Sequence, residues 1–494
     1  MATLTALRLD EIRRGRPAHP ALVLPGRSIG YAELIDRVHA AAGRLARAGC
    51  RPTAPVGVSV DDDLDNLVTS LALLWLGVPQ IALPASDPLP LRRELANRLS
   101  MTHVVADDDR QALAGIPMIR VERDAEAAGA PAIAGEPDSE ALAIYATSSG
   151  TTGKAKLFGY SQRAFARRAE SIAVAQGYAI DERIMVAMPV ATHTGKFARL
   201  VAIWHGATAV LATGGPGAPV SSLFELCHEL QVTYLQLTVL QARSLMVAAT
   251  DGRRLPPYTR VFLGAARMPP GFPRQFRDVA GAPVFDRYGT TEGSLIATTW
   301  PAGDRGIDDA VGVPAPGVEV EIVDASGEPV PRGEPGEIRI RSAAMASGYL
   351  DDPDATASHY RGGWFHPGDL GSMTEDGVLR FFGRIDDMMV LNGINIFPVE
   401  IERALEAHPA VAAAASFPIA SPIYGDVPAV AVELREGVST DERSLVRYAR
   451  SRLGQRAPRR VFVVTRLPRN AAGKVVKREL VRMLAPGAGE RGPA

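Results

Sequence analysis

Apolar positions along the first ninety residues alternate between two periods. Leu34, Val38, Ala41 and Leu45 fall on one face at helical spacing, and Gly49 follows as a stop. Residues 55–60 form a short apolar run of strand type. Residues 63–76 return to the helical period, with Leu67, Leu71, Leu74 and Trp75 on the apolar side. Another short run, Ile81-Ala82-Leu83, closes on Pro84 and Asp87-Pro88. Strand, helix and strand with turns between them predict βαβ units and a parallel sheet. The alternation continues with strand-like runs at 142–146, 184–188, 208–211, 232–237, 260–263 and 283–285. Helical stretches near 161–176, 197–204, 221–230, 239–248 and 270–279 separate most of them.

From Val313 the texture changes. Residues 318–323 and 336–341 alternate apolar with charged side chains between Pro/Gly turns, which predicts an antiparallel sheet wet on one face. Beyond Gly383, helical stretches at 398–407 and 441–453 mix with strands at 411–417, 429–434 and 461–464. The expected fold is α/β: a large N-terminal domain, 1–384, of parallel α/β sheets with a small antiparallel β subdomain. A small α+β domain, 385–494, follows, and its Pro/Gly/Ala tail after Leu484 is expected to be disordered.

Active sites of such sheets lie beyond the carboxyl ends of the strands. The stretch after the 142–146 run is Thr147-Ser148-Ser149-Gly150-Thr151-Thr152-Gly153-Lys154-Ala155-Lys156, between a strand and a helix that Ser161 is placed to cap. Its hydroxyls, amides and lysines suit a polyphosphate; the alternative is a Ser/Gly linker. Ser148 and Ala155 break the Walker A spacing, so a P-loop kinase or GTPase is disfavoured.

Charge and cysteine content narrow the classes further. Across 494 residues the formal net charge is -1, giving no electrostatic footprint for nucleic acid or an anionic membrane. Two cysteines, Cys50 and Cys227, provide no disulfide framework and are expected to be buried fillers. The first sixteen residues lack the apolar core of a signal peptide, and the apolar run at 67–83 is broken by Gly77 and Pro79. A cytoplasmic metabolic enzyme is the expectation.

Several stretches then resemble, in order, the adenylate-forming superfamily of acyl- and aryl-CoA ligases, peptide-synthetase adenylation domains and beetle luciferases. They are 149–156, Tyr288-Gly289-Thr290-Thr291-Glu292, Trp364-Phe365-His366-Pro367-Gly368-Asp369, Gly383-Arg384-Ile385-Asp386-Asp387 and Asn470-Ala471-Ala472-Gly473-Lys474. The set covers nearly the whole chain. The resemblance implies a carboxylate attacking the α-phosphate of ATP, release of pyrophosphate, and transfer of the acyl group to a thiol, with ATP, Mg²⁺ and CoA as cofactors.

It further implies roles for individual residues. Ser149, Gly150, Thr151, Thr152, Gly153 and Lys156 would cradle the phosphates, and Glu292 with Thr151 would hold Mg²⁺. Gly264, Ala265, Ala266, Asp286, Tyr288, Gly289, Thr290 and Thr291 would line the nucleotide. Asp369 would accept from the ribose hydroxyls and Arg384 would contact ribose or phosphate. Lys474 would be catalytic, touching both carboxylate and α-phosphate, and a solvated lysine beside Lys477 and Arg478 is the competing reading. Asp386 would be the hinge on which the small domain turns, or else an exposed loop aspartate.

His193 resembles a gate beside the substrate carboxylate, making it a candidate for catalysis and for the substrate pocket; a core histidine is the competing reading. Lys196 is a partner for a polar substituent or a solvated helix-start lysine, and Gly264 and Gly289 complete the expected pocket. No Asp stands where amino-acid-activating relatives place one, so an aryl or short to medium apolar acid is favoured over an α-amino acid. Val390 stands where many relatives carry a lysine that assists transfer. The acceptor therefore stays open between CoA and a carrier-protein phosphopantetheine, an amine or another small nucleophile. Pro367 stands in place of a threonine, and Ala155 and Leu157 also depart from the pattern.

Overall fold

The computed structural model describes residues 3–122, 138–148, 156–211, 220–249, 252–264, 266–269, 271–303, 305–391, 394–421, 425–469 and 474–485. Most of the expected alternation is present. The helix Asp63–Leu76 has its start fixed by the Asp62 side chain, which accepts from the Asp65 amide, and its end by Gly77 in the left-handed region (φ 69°). Ser161 caps the helix Gln162–Ala175 by accepting from the Ala164 amide.

In the smaller N-terminal sheet, Met118–Arg120, His103–Ala106, Val56–Ser59, Gln80–Ala82 and Leu142–Ser148 lie side by side and parallel. A larger sheet has a parallel half through Thr208–Val210, Arg183–Val186, Tyr234–Thr238, Arg260–Gly264 and Val284–Thr290. One apolar cluster joins both sheets to the helices between: Val56, Ile144, Ile184 and Ala209 from strands share it with Leu34, Leu71, Phe165 and Leu200. Burying strands on both faces explains their near-continuous apolar runs.

At Val284–Thr290 the larger sheet changes character. This strand is parallel to Arg260–Gly264 on one side and antiparallel to Ser294–Thr298 on the other. Antiparallel pairing then continues through Ala310–Pro314, Leu379–Arg384 and Asp369–Met373 to Gly336–Ser342. The alternating stretches pair as expected, with Val320 opposite Ile340 and Glu319 opposite Arg341. A separate sheet contains Met389–Leu391, Ile394–Ile396, Val411–Ser421, Gly425–Leu434 and Arg460–Val464. It has its own cores, under the helices Pro398–Glu406 and Glu442–Leu453 on one face and Lys477–Leu484 on the other. The large sheet's last strand ends at Arg384, and the small sheet's first begins at Met389.

One expectation needs correction. The Ser/Gly/Thr stretch does not run from strand to helix: Leu142–Ser148 pairs antiparallel with Lys156–Ser161, Ser148 opposite Lys156, and the helix begins only afterwards. Residues 149–155, including Ser149, Gly150, Thr151, Thr152 and Gly153, lie outside the described residues. The charged start of the chain is the helix Leu4–Gly15, whose Ala6, Leu9 and Ile12 are buried.

Candidate functional site

A cavity of about 2000 Å³ opens between the antiparallel half of the large sheet and the C-terminal sheet. Its lining includes Tyr288, Glu292, Asp369 and Arg384 from one side and Lys474 from the other. Asp369 opens the strand Asp369–Met373 and is almost fully buried (4% exposed), so it is no surface turn residue. Tyr288 donates its hydroxyl to Asp369 Oδ2 at 2.5 Å, and Arg384 Nη1 lies 3.2 Å from Oδ1. Arg384 also donates to the Pro367 carbonyl. Burial raises the Asp369 carboxyl above its ordinary value, while Arg384, the Tyr288 hydrogen bond and Lys474 act to lower it. That effect places the exposed ammonium of Lys474 within electrostatic reach of Asp369 across the cavity.

Asp286 also lines the cavity, where burial pushes its carboxyl up to about 7. Glu292 is buried, with Oε1 accepting from the Tyr349 hydroxyl at 3.0 Å. Thr290, Thr291 and Gly289 join the same wall, as do Ala266 and Lys156, the latter at the start of its strand. The two glycines have packing reasons of their own. A Cβ on Gly289 would lie 2.3 Å from the Ser294 carbonyl oxygen, and one on Gly264 would lie 2.9 Å from Arg287 Cγ. Ala265 lies outside the described residues.

His193 and Lys196 stand apart from this group. They line a second space of only about 10 Å³, together with Gln80, Ala82 and Phe197. His193 opens the helix His193–His205, stacked on Phe197 (centroids 5.8 Å apart) and edge-on to Tyr160. Burial, aided by the charges of Arg168 and Lys196, pulls it down to about 3, so the ring is neutral. Lys196 is 5% exposed rather than solvated, and its Nζ has no hydrogen-bond partner among the described residues. Burial alone lowers it to about 7.

The connection at 385–387 is a short helical turn, with Asp386 about half-exposed and 3.4 Å from Arg384. Two ion pairs and a hydrogen bond tie the two sides of the cavity. Arg267 Nη2 is 2.8 Å from Glu406, Arg403 Nη1 is 2.9 Å from Asp309, and Arg243 donates to the Ala412 carbonyl at 2.6 Å.

Several contributors escaped the sequence reading. Arg168 is fully buried and donates to the carbonyls of Thr291 and Glu292 at 2.9 and 2.6 Å and of Ala344 at 2.6 Å, so it fixes the backbone that carries Glu292. A signal for it existed: an arginine three residues after Phe165 and four before Ile172 sits on the apolar stripe of its helix. Tyr349 and His359, from a stretch with no motif, carried none.

The family profile for the AMP-binding enzyme matches residues 9–350, and that for the AMP-binding enzyme C-terminal domain matches residues 400–474. A feruloyl-CoA synthase of an Amycolatopsis species is 29% identical over 490 residues, covering 95% of this chain and 97% of that protein. A 2-succinylbenzoate–CoA ligase of Geobacillus kaustophilus is 38% identical over 206 residues, which is 41% of this chain and 42% of that protein. The structure of the amide bond synthetase McbA from Marinactinospora thermotolerans superposes with a TM-score of 0.87 at 26% identity, covering 97% of this chain and all of that one.

Proposed function

The chain belongs to the AMP-binding enzyme family, within the adenylate-forming superfamily of acid–thiol ligases, and from that premise we propose that it activates a small carboxylic acid with ATP and passes the acyl group to CoA. The acid carboxylate attacks the α-phosphorus of ATP, an acyl–phosphate bond forms, and the bond to pyrophosphate breaks. A thiol then takes the acyl group and AMP leaves. One observation carries the reading: Lys474 and Asp369, over a hundred positions apart in sequence, face one cavity from opposite sides.

In this reading Asp369 accepts from the ribose hydroxyls while Tyr288 and Arg384 hold it in place. Lys474 presents positive charge where negative charge grows between carboxylate and α-phosphate. Lys156 faces the phosphate end, to which the resemblance also assigns Thr151 and Thr152. Among the described residues no three His, Cys, Asp or Glu side chains cluster as a metal cage. Glu292, buried and oriented by Tyr349, fits an ion that takes one protein carboxylate and completes its shell with phosphate oxygens and water, as magnesium does. When bound, such an ion neutralises phosphate charge that repels the incoming carboxylate. Asp386 serves as the hinge of a C-terminal domain beginning at residue 385, which turns between the two steps.

The acid pocket is assigned to Gly264, Gly289, His193 and Lys196. Burial suppresses charge on His193 and weakens it on Lys196, favouring an aryl or a short to medium apolar acid. Acid-dependent ATP–pyrophosphate exchange across a panel of such acids tests the first step; exchange with none of them would count against the reading. A second acceptor class has its own support. Val390, 40% exposed on Met389–Leu391, is aliphatic where many relatives carry the transfer lysine, and the likeness to an amide bond synthetase points to an amine. A carrier-protein phosphopantetheine is the remaining alternative. Offering CoA, a holo carrier protein and an amine to the preformed adenylate, then identifying the acylated product, separates them.

A further inference from the structure

His359 ends the helix Pro353–His359 and touches two segments that the nucleotide site depends on. Lys156 Nζ lies 2.7 Å from His359 Nε2, and His359 Nδ1 lies 2.8 Å from the carbonyl oxygen of His366. A carbonyl can only accept, so Nδ1 carries the proton and Nε2 offers its lone pair to the lysine ammonium. Burial pulls His359 below the ordinary imidazole range. The His366 carbonyl and Glu292 oppose that pull, while the charges of Lys156 and Arg384 add to it. The ring is therefore a neutral acceptor near pH 7.

The surroundings fix its orientation. His359 packs edge-on to Tyr349, with centroids 5.8 Å apart, and beside Phe365 at 6.3 Å. The Lys156 ammonium sits 5.0 Å above the Tyr349 ring, and the Tyr349 hydroxyl donates to Glu292. Asp369 lies three residues beyond His366, so the segment that fixes the imidazole also supplies the carboxylate proposed for ribose. Lysine has a long, flexible stem, and ordering it only when ligand arrives costs conformational entropy. A side chain held beforehand avoids that cost.

We propose that His359 is a positioning residue for Lys156: it accepts a hydrogen bond from the ammonium and so aims the remaining N–H bonds into the cavity, toward the β- and γ-phosphates of ATP. This rests on the functional reading above, since it presumes a nucleotide triphosphate in that cavity. The group acts through Lys156 and does not itself touch the reacting atoms.

The test uses the full chain with His359→Leu, which removes the acceptor, and His359→Gln, which restores one. Calorimetric titration with ATP and with AMP is the primary readout. His359→Leu should weaken ATP binding about tenfold and leave AMP binding unchanged, because AMP lacks the phosphates that Lys156 serves; His359→Gln should recover to within about threefold of wild type. In pyrophosphate exchange, KM for ATP should rise in the Leu variant far more than kcat falls, with KM for the acid unaltered. Equal loss of ATP and AMP binding would show a merely structural role and overturn the proposal. So would wild-type ATP affinity in His359→Leu, or a Gln variant as weak as the Leu one. A wild type that binds ATP yet exchanges no pyrophosphate with any acid would overturn the functional reading, while the ATP and AMP titrations would still decide the role of His359.

Discussion

The large cavity and the separate small space around His193 and Lys196 treat charge in opposite ways. On the side assigned to the nucleotide the charged groups are kept and partnered: buried Asp369 by Tyr288 and Arg384, buried Glu292 by Tyr349, half-buried Lys156 by His359. On the side assigned to the acid, burial suppresses charge instead. His193 is drawn down to about 3 and Lys196 to about 7, and the Lys196 amine has no hydrogen-bond partner among the described residues. Pre-placed dipoles and charges cost nothing to reorganise when a polyanion arrives. An apolar acid needs the reverse, a wall that holds no ion. On the proposed reading the nucleotide side is preset for one constant ligand, and the side assigned to the acid holds little charge.

Breaking the first half of that comparison should have the largest effect. Lys474→Ala removes the charge that meets the developing negative charge, so acid-dependent pyrophosphate exchange should fall by ~10²-fold or more. Transfer from a preformed acyl-adenylate should stay near normal, and equal loss in both steps would refute the division of labour. Asp386→Pro should act oppositely. By stiffening the short turn at 385–387 it should spare adenylation and slow transfer at least ~10-fold, in single-turnover assays with preformed adenylate. Transfer at the wild-type rate would remove Asp386 from the mechanism.

A smaller effect is expected from the contacts that hold the cavity's two sides together. Arg267 pairs with Glu406 at 2.8 Å and approaches Glu402 at 3.9 Å, and its removal takes the nearest cation from the largely buried Glu406 carboxylate. Arg267→Ala should lower adenylation about tenfold and leave transfer unchanged. A drop confined to transfer would mean that this pair belongs to the other conformation.

What could be read from the chain follows the same division. Most parallel strands were visible because burial on both faces writes itself as apolar runs, though His103–Ala106 and Met118–Arg120 were not read, and Asp63–Leu76 was placed to the residue by its helical period. Asp369, Glu292 and Lys474 were visible because each sits in a short ordered motif. His359, Tyr349 and Arg168 were not, since their partners lie far away in sequence: Lys156 is 203 positions from His359, and the Glu292 carbonyl 124 positions from Arg168. Neither pattern nor propensity encodes such a pairing; the packing of sheet on helix creates it. The phosphate stretch was misplaced for a different reason. The strand Lys156–Ser161, which runs directly into the Ser161-capped helix, was not read, so the stretch was taken to lead straight from strand to helix.

The smallest effect sharpens the second half of the comparison. If Lys196 is buried without a partner, it destabilises the fold by an amount that depends on pH. Its folded pKa of about 7 lies below the unfolded value of about 10.4, so between those limits the unfolded chain holds a proton that the folded chain lacks. Stability then rises with pH through that window, and below about pH 7 the penalty is constant and complete. Lys196→Met keeps the volume and removes the penalty. The variant should melt a few degrees higher than wild type at pH 6 to 7, and the gap should close as pH approaches about 10.4, with ~1.4 kcal/mol per pKa unit setting its scale. Exchange with an apolar acid should change by less than about threefold. A variant that melts lower than wild type at pH 7 would mean that the ammonium is stabilised where it lies, and the acid wall would then hold a charge after all.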